Sequence, residues 1–476
     1  MIEDASAVSR WREGRVVVRP GRSVASVWGQ SLVVLILLIW GSGLLVGFES
    51  ALAVLTITSL AAIVAGLARP ILGVFGLGMW STLDAAARVF LLTGGLWRWN
   101  TFNYWLLAVM LLSLPFLLRL RDLQSRILEA FLVLLGLELA ISSDRLLGAQ
   151  HVLGIVVLFG LLVYFTRAAR DERIWYWLGV VCGTLAAAGG LVFYLQMDGL
   201  PYINPNVWAF LPLTGLFALC LGFIYGRRRP HEQLTLMGLA TVNVVWVFLS
   251  GSRGGLLIAA FCLAFLGAAV RPLVRRAAFL IIGVLLAVAV ASQFAHLQAA
   301  VLNRLGVLLD RDRPLVSRTS GRSDLVIAGW HIFLDHPLGV GTGGFAAAWA
   351  GLGDLGGLLT FHRRGVETQA HSAWIKTLAE NGVPGILLLA AYVFSFAVVG
   401  WRRSRRDPNL RLLGFLVTAV LSVAFVSTEF QGKGLWLLAA GATTLFRRAE
   451  MVRPGRGPSS PATRSAHASA TRVRRA

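Results

Sequence analysis

Charge is scarce in this chain, and negative charge is the scarcest: 14% of its 476 residues are charged, with 23 acidic against 44 basic side chains. A soluble globular domain carries roughly a quarter of its residues as charges, so this composition excludes that class. Cysteine is nearly absent as well. Cys182, Cys220 and Cys262 all fall inside apolar runs, and an odd number so placed excludes a disulfide framework. No cysteine–histidine spacing resembles a zinc site, and no cofactor or metal is expected. Internal repeats are also missing, which excludes a solenoid or array.

What the chain has in abundance is apolar sequence. It is 57% hydrophobic, with a mean hydropathy of +0.72, and apolar runs recur from Val27 to Phe446. Each run is long enough, at about 20 residues, to cross a hydrocarbon core of roughly 30 Å as a helix. The predicted spans are 28–48, 51–68, 71–92, 103–118, 127–141, 147–166, 174–196, 207–226, 233–250, 254–270, 277–295, 384–400, 409–428 and 433–447. Merging the short or interrupted ones lowers the number to twelve. The expected fold class is all-α: a polytopic integral membrane helical bundle of about 12–14 transmembrane helices.

Basic residues follow topology, which argues against nucleic acid as the partner of so positive a chain. With the N-terminus inside, 31 of the 44 lysines and arginines fall in predicted cytoplasmic segments, an asymmetry that puts both termini in the cytoplasm. The expected organisation is a basic cytoplasmic N-terminus (1–27), eleven spans (28–295), one large extracytoplasmic loop with short helices (296–383), the last spans (384–447) and a basic tail (448–476). The first span has no small-residue cleavage site after it and is expected to be retained. The tail, rich in Arg, Ser and Pro, has the composition of a disordered segment lying near anionic lipid head groups. Membrane lipids are therefore an expected partner.

A loop of this length is a candidate for function. One helix is expected in its middle, capped by Ser320 or Ser323, with Asp324 near its positive end, and stopped by Pro337 and the glycines of "HPLGVGTGGF". A second begins near Gln369 and ends at Asn381–Gly382, after which Pro384 opens the next span. Within it His371, Trp374, Ile375 and Leu378 recur at helical spacing, so His371 is expected to face protein or lipid. Lys376 and Glu380 fall on another face and are expected at the surface.

Three basic residues near predicted helix ends on the outer side are candidates for chemistry. Arg253 sits in "SGSRGG", whose glycines let backbone approach a ligand closely. Arg322 sits in "SGRSD" at a helix N-terminus, which favours anions, and Arg318, four residues earlier, is a substitute for it. The third is His371. Taken alone, each also fits a structural part: Arg253 snorkelling to lipid phosphate, Arg322 paired with Asp324 or Asp310, and His371 bonded to a carbonyl in the core.

"SGSRGGLL", "GRSDLVIAGWHIFLDHPLGVGTGGF" and "AHSAWIKTLAENGVPGILLL", in that order and with "INPNVWAF" upstream, resemble the O-antigen ligase and polymerase superfamily of membrane glycosyltransferases. One departure is Ser372, where the family commonly has Asn. The resemblance implies metal-independent transfer of a glycan from an undecaprenyl-diphosphate-linked donor to a glycan or lipid acceptor, on the periplasmic face of a bacterial inner membrane. It also implies roles: Arg253 and Arg322, or Arg318, on the diphosphate, and His371 as general base. The alternative from another class is an ion-coupled transporter using intramembrane charges: Asp84 and Arg88 at i, i+4, and Glu129, Glu138 and Glu429.

Overall fold

The computed structural model describes residues 73–78, 81–82, 122–168, 172–195, 205–225, 230–269, 283, 322–352, 370–405, 407–427 and 433–451. Eleven helices of seven residues or more lie among them: α1 (Leu123–Glu138), α2 (Arg145–Ala168), α3 (Glu172–Leu195), α4 (Pro205–Tyr225), α5 (Pro230–Ser250), α6 (Arg253–Ala269), α7 (Arg322–Asp335), α8 (Phe345–Gly351), α9 (Ala373–Arg403), α10 (Pro408–Ser427) and α11 (Lys433–Met451). Backbone polar groups in hydrocarbon must be satisfied within their own segment, and the sequence supplies helix starts that suit this. Three helices open on proline, which forgoes an N–H that the first turn leaves unpaired anyway. Asp122 Oδ2 accepts from the Ser125 N–H at 3.2 Å to cap α1, and Asp144 Oδ1 accepts from the Leu147 N–H at 2.9 Å at the start of α2.

Five helices among the described residues are long and apolar enough to cross a membrane: Arg145–Thr166, Arg173–Leu191, His231–Ser250, Ala373–Arg403 and Pro408–Val426. Trp208–Ile224 and Arg253–Ala269 are shorter apolar helices. The chain is an all-α polytopic membrane protein, and its helices overlap nine of the predicted spans, α9 beginning eleven residues before the predicted 384–400. The predicted spans 28–48, 51–68, 103–118 and 277–295 lie outside the described residues apart from residue 283, as does most of 71–92, with Asp84 and Arg88.

Helix α4 is the hub, packed against α3, α5, α6 and α11. Small residues allow close approach where lipid supplies no hydrophobic drive for helix association. A Cβ on Gly179 would lie 2.9 Å from the Ala218 carbonyl oxygen. Asn243 donates to the Gly183 carbonyl of α3 at 3.0 Å and to Leu239 of its own helix at 2.8 Å, a bond between helices worth about 1 kcal/mol.

Helix α9 is the element that joins membrane to loop. Its 31 residues would span about 46 Å if straight, more than a hydrocarbon core of roughly 30 Å requires. It is not straight: Gly382 (φ 57°, ψ −150°) breaks it two residues before Pro384. Thus the short loop helix and the span expected from the sequence are both present, stacked end to end across this break.

Candidate active site

The loop segment between α7 and α8 is pinned in place from both sides. On one side it pairs with α9: Val340 N–H donates to Ala379 O at 3.1 Å, Gly341 N–H to Glu380 O at 2.9 Å, and Val383 N–H to Pro337 O at 3.0 Å. On the other it meets the end of α1 and the turn after it, and Thr342 Oγ1 donates to Leu135 O in the last turn of α1 at 3.2 Å. Both Gly341 (φ 88°) and Gly343 (φ 89°) hold left-handed backbone, and a Cβ on either would fall within 2.8 Å of the facing backbone of Ser142 or Gly148. Glycine is required here for both reasons. The run "GVGTGG" is therefore a backbone wedge between the membrane helices and the loop.

Arg253 is the first residue of α6. Ser252, just before it, accepts from the Gly255 N–H at 3.1 Å and donates its hydroxyl to Asn206 Oδ1 at 2.7 Å. The motifs "SGSRGG" and "INPNVWAF" are thus bonded to each other, and the cap fixes where Arg253 leaves the helix. Asn206 is a site-supporting residue for which the sequence offered no signal beyond its place in the motif.

Arg322 is likewise the first residue of its helix, α7. It is half-buried, and burial, then the neighbouring Arg253 guanidinium, hold its pKa below the ordinary arginine value. The structure therefore brings these two arginines, distant in sequence, close enough for their charges to oppose each other. Arg318 lies outside the described residues.

His371 departs from the expected placement. It is exposed, with φ 50°, and precedes the N-cap of α9 instead of sharing a face with Trp374, Ile375 and Leu378. The reason is the cap. Ser372 Oγ accepts from the Ile375 N–H at 3.4 Å and donates to Phe425 O at 3.0 Å, so the helix starts at Ala373 and the histidine turns away from it. Trp374 Nε1 donates to Ser422 O at 3.0 Å, and its ring meets Phe425 edge-on, which ties the same corner to α10. Helix α7 runs along the first turns of α9: Gly329 faces Ile375, and Leu325 shares a buried cluster with Ala370. The Arg322 end of α7 and His371 are consequently at the same end of this helix pair.

The second correction concerns Lys376 and Glu380, which are buried. They face α1, α2 and the glycine wedge. Lys376 Nζ lies 3.0 Å from His151 Nε2, and Glu380 Oε1 accepts from the Phe345 N–H at 3.4 Å. Beside them Asn381 donates from Nδ2 to Glu138 Oε2 and, at 3.1 Å, to Thr342 Oγ1. The Glu138 carboxylate, expected from the sequence to lie in the membrane, is thus engaged in holding α1 to α9.

No curated protein matches the chain in direct sequence comparison. A family model described as O-Antigen ligase does match, over residues 236–390. That segment contains Arg253, Arg322, the glycine wedge and His371. Over that segment the chain is similar to the O-antigen ligase family, in line with the resemblance that its motifs carry.

Proposed function

We propose that the chain transfers a glycan from an undecaprenyl-diphosphate carrier to an acceptor hydroxyl at the extracytoplasmic face of the inner membrane, without a metal. The observation that carries this reading is the adjacency of Arg253 and Arg322. Both head a helix and lie within electrostatic reach of each other, and Arg322 is partly desolvated, so the corner is one that an added anion would stabilise. A diphosphate supplies that anion, and its negative charge grows as it leaves. In the proposed step the acceptor oxygen bonds to the anomeric carbon, the bond from that carbon to the diphosphate oxygen breaks, and the acceptor proton passes to His371. The released diphosphate stays with the two arginines. An exposed histidine at the mouth of this corner, not a core one, suits a base that must reach an incoming hydroxyl.

We favour a ligase, which joins a finished polymer to a terminal acceptor, over a polymerase. The motifs serve both, and the preference rests on the single long outer loop expected from the sequence. Deleting the gene and separating surface glycans on a gel tells them apart: unattached full-length polymer indicates a ligase, single repeat units a polymerase. The catalytic reading is tested in membranes with lipid-linked donor supplied. His371→Ala is expected to lower transfer by about 10²- to 10⁴-fold at normal protein abundance, and Arg253→Ala to abolish most of it. Near-normal transfer by either variant removes that residue from the mechanism.

A further inference from the structure

Helix α7 buries one face against α9 and α8 through Leu325, Ala328 and Ile332. Its opposite face is apolar and uncovered. Val326, Trp330 and Leu334 follow one another at i, i+4 and i+8, and Trp330 and Leu334 are 50% and 54% exposed. Trp330 and Phe333 rings lie 5.5 Å apart, which extends the patch sideways. Beyond the helix end, Leu338 is 74% exposed. A run of large apolar side chains this exposed has no place in water unless something covers it.

The geometry points to the occupant. Leu338 abuts the break in α9: a Cβ on Gly382 would lie 2.5 Å from the Leu338 carbonyl carbon, and the Val383 N–H bonds the neighbouring Pro337 carbonyl. On the far side of that break, Val383 and Leu387 are also exposed, Leu387 at 63%, and they belong to a helix long and apolar enough to cross the bilayer. The stripe on α7 is therefore continuous with the exposed apolar side of α9. We infer that the face of α7 carrying Val326, Trp330, Leu334 and Leu338 is seated in the outer boundary of the lipid bilayer, making this loop helix a membrane-contacting element and not a solvent-exposed one. Asp335 and His336, exposed beside Leu334, set the seat at head-group depth, since an acidic side chain at the bilayer centre is costly. Tryptophan is the side chain best suited to that depth. This inference does not depend on the proposed reaction. If both hold, Arg322 at the head of the same helix meets a lipid-linked diphosphate at the depth where lipid phosphates lie.

The test places nitroxide spin labels, one at a time, at Trp330→Cys, Leu334→Cys and Leu338→Cys in the full chain in phospholipid nanodiscs. Leu387→Cys on the span serves as the lipid control, and Arg405→Cys, exposed in the turn after α9, as the aqueous one. The three native cysteines are buried, so labelling of the folded protein goes to the introduced thiol. Collisions with oxygen, which partitions into lipid, are compared with collisions with a water-soluble nickel chelate. Labels at 330, 334 and 338 are expected to favour oxygen, between the two controls and nearer Leu387. Oxygen-to-nickel ratios at all three sites equal to that of Arg405 overturn the proposal, because the stripe then faces water. Three sites at exposed positions guard against one variant failing to fold.

Discussion

His371 is held at φ 50°, a left-handed conformation that costs a side chain with a Cβ about 1–2 kcal/mol, so neighbouring contacts must hold it there. Ser372 is the neighbour placed to do so, since its one hydroxyl both caps α9 and bonds the last turn of α10. Ser372→Ala is expected to lose the cap, worth about 1 kcal/mol, and to free the histidine's backbone. The measurement is transfer in membranes normalised to protein amount: at least a tenfold drop in kcat with little change in the donor KM, and recovery in Ser372→Thr, which restores the hydroxyl. The arginines predict the opposite division. Lysine keeps the charge but lacks the planar fork that grips two phosphate oxygens, so Arg322→Lys is expected to raise the donor KM several-fold, and Arg253→Lys likewise, with stability unchanged in a thermal assay. The candidate residues were legible because arginines beside glycines or at a helix head are conspicuous in so apolar a chain. Their proximity was not, since Arg253 and Arg322 head separate helices, α6 and α7, and only the fold brings their charges within reach of each other.

At the scale of elements, α9 shows how periodicity identifies a helix but not its partners. The spacing that put His371 with Trp374 assumed a helix start near Gln369, four residues too early, and a cap hydroxyl decided otherwise. Lys376 and Glu380 read as surface because an i, i+4 ion pair is the ordinary dress of a solvent face. They are buried because α1 and α2, separated from them by more than 200 residues, close over that side. The end of the short helix at Asn381–Gly382 and the restart at Pro384 were legible, since glycine at left-handed backbone followed by proline at a first turn is local chemistry. Glu138 belongs to this scale too. Intramembrane carboxylates suggested an ion path, whereas Glu138 accepts from Asn381 across the α1–α9 contact. Glu138→Ala leaves a buried amide short of a partner and is expected to cost about 1–3 kcal/mol, read as a lower melting temperature in detergent. If Glu138 is a structural strut, Glu138→Gln, which keeps an acceptor oxygen, retains most of the stability and of the transfer activity. A proton path through this residue would instead make Glu138→Gln as inactive as Glu138→Ala while leaving both fully stable.

Across the whole molecule, the fold places the glycine wedge, the α1–α2 turn and the heads of α7 and α9 at one end of the bundle, with the α9–α10 turn at the other. Composition made the membrane class plain, because a charge-poor chain of repeated apolar runs has no other way to satisfy its backbone. Sidedness comes from a different signal, the excess of arginine in alternate connections, and it carries the function. Polyprenyl-linked glycans must meet their acceptors outside the cytoplasm, so the wedge end must face outward if the proposed reaction is right. Ser143, exposed in the α1–α2 turn, and Arg405, exposed in the α9–α10 turn, mark the two ends. With the native cysteines buried, a membrane-impermeant maleimide is expected to label Ser143→Cys in cells whose outer membrane has been permeabilised, and to label Arg405→Cys only after the inner membrane is opened. The reverse pattern would put both arginines and His371 beside the cytosol, where a transferase of finished lipid-linked glycans has no acceptor. Sidedness thus constrains the chemistry more tightly than any single side chain at the site.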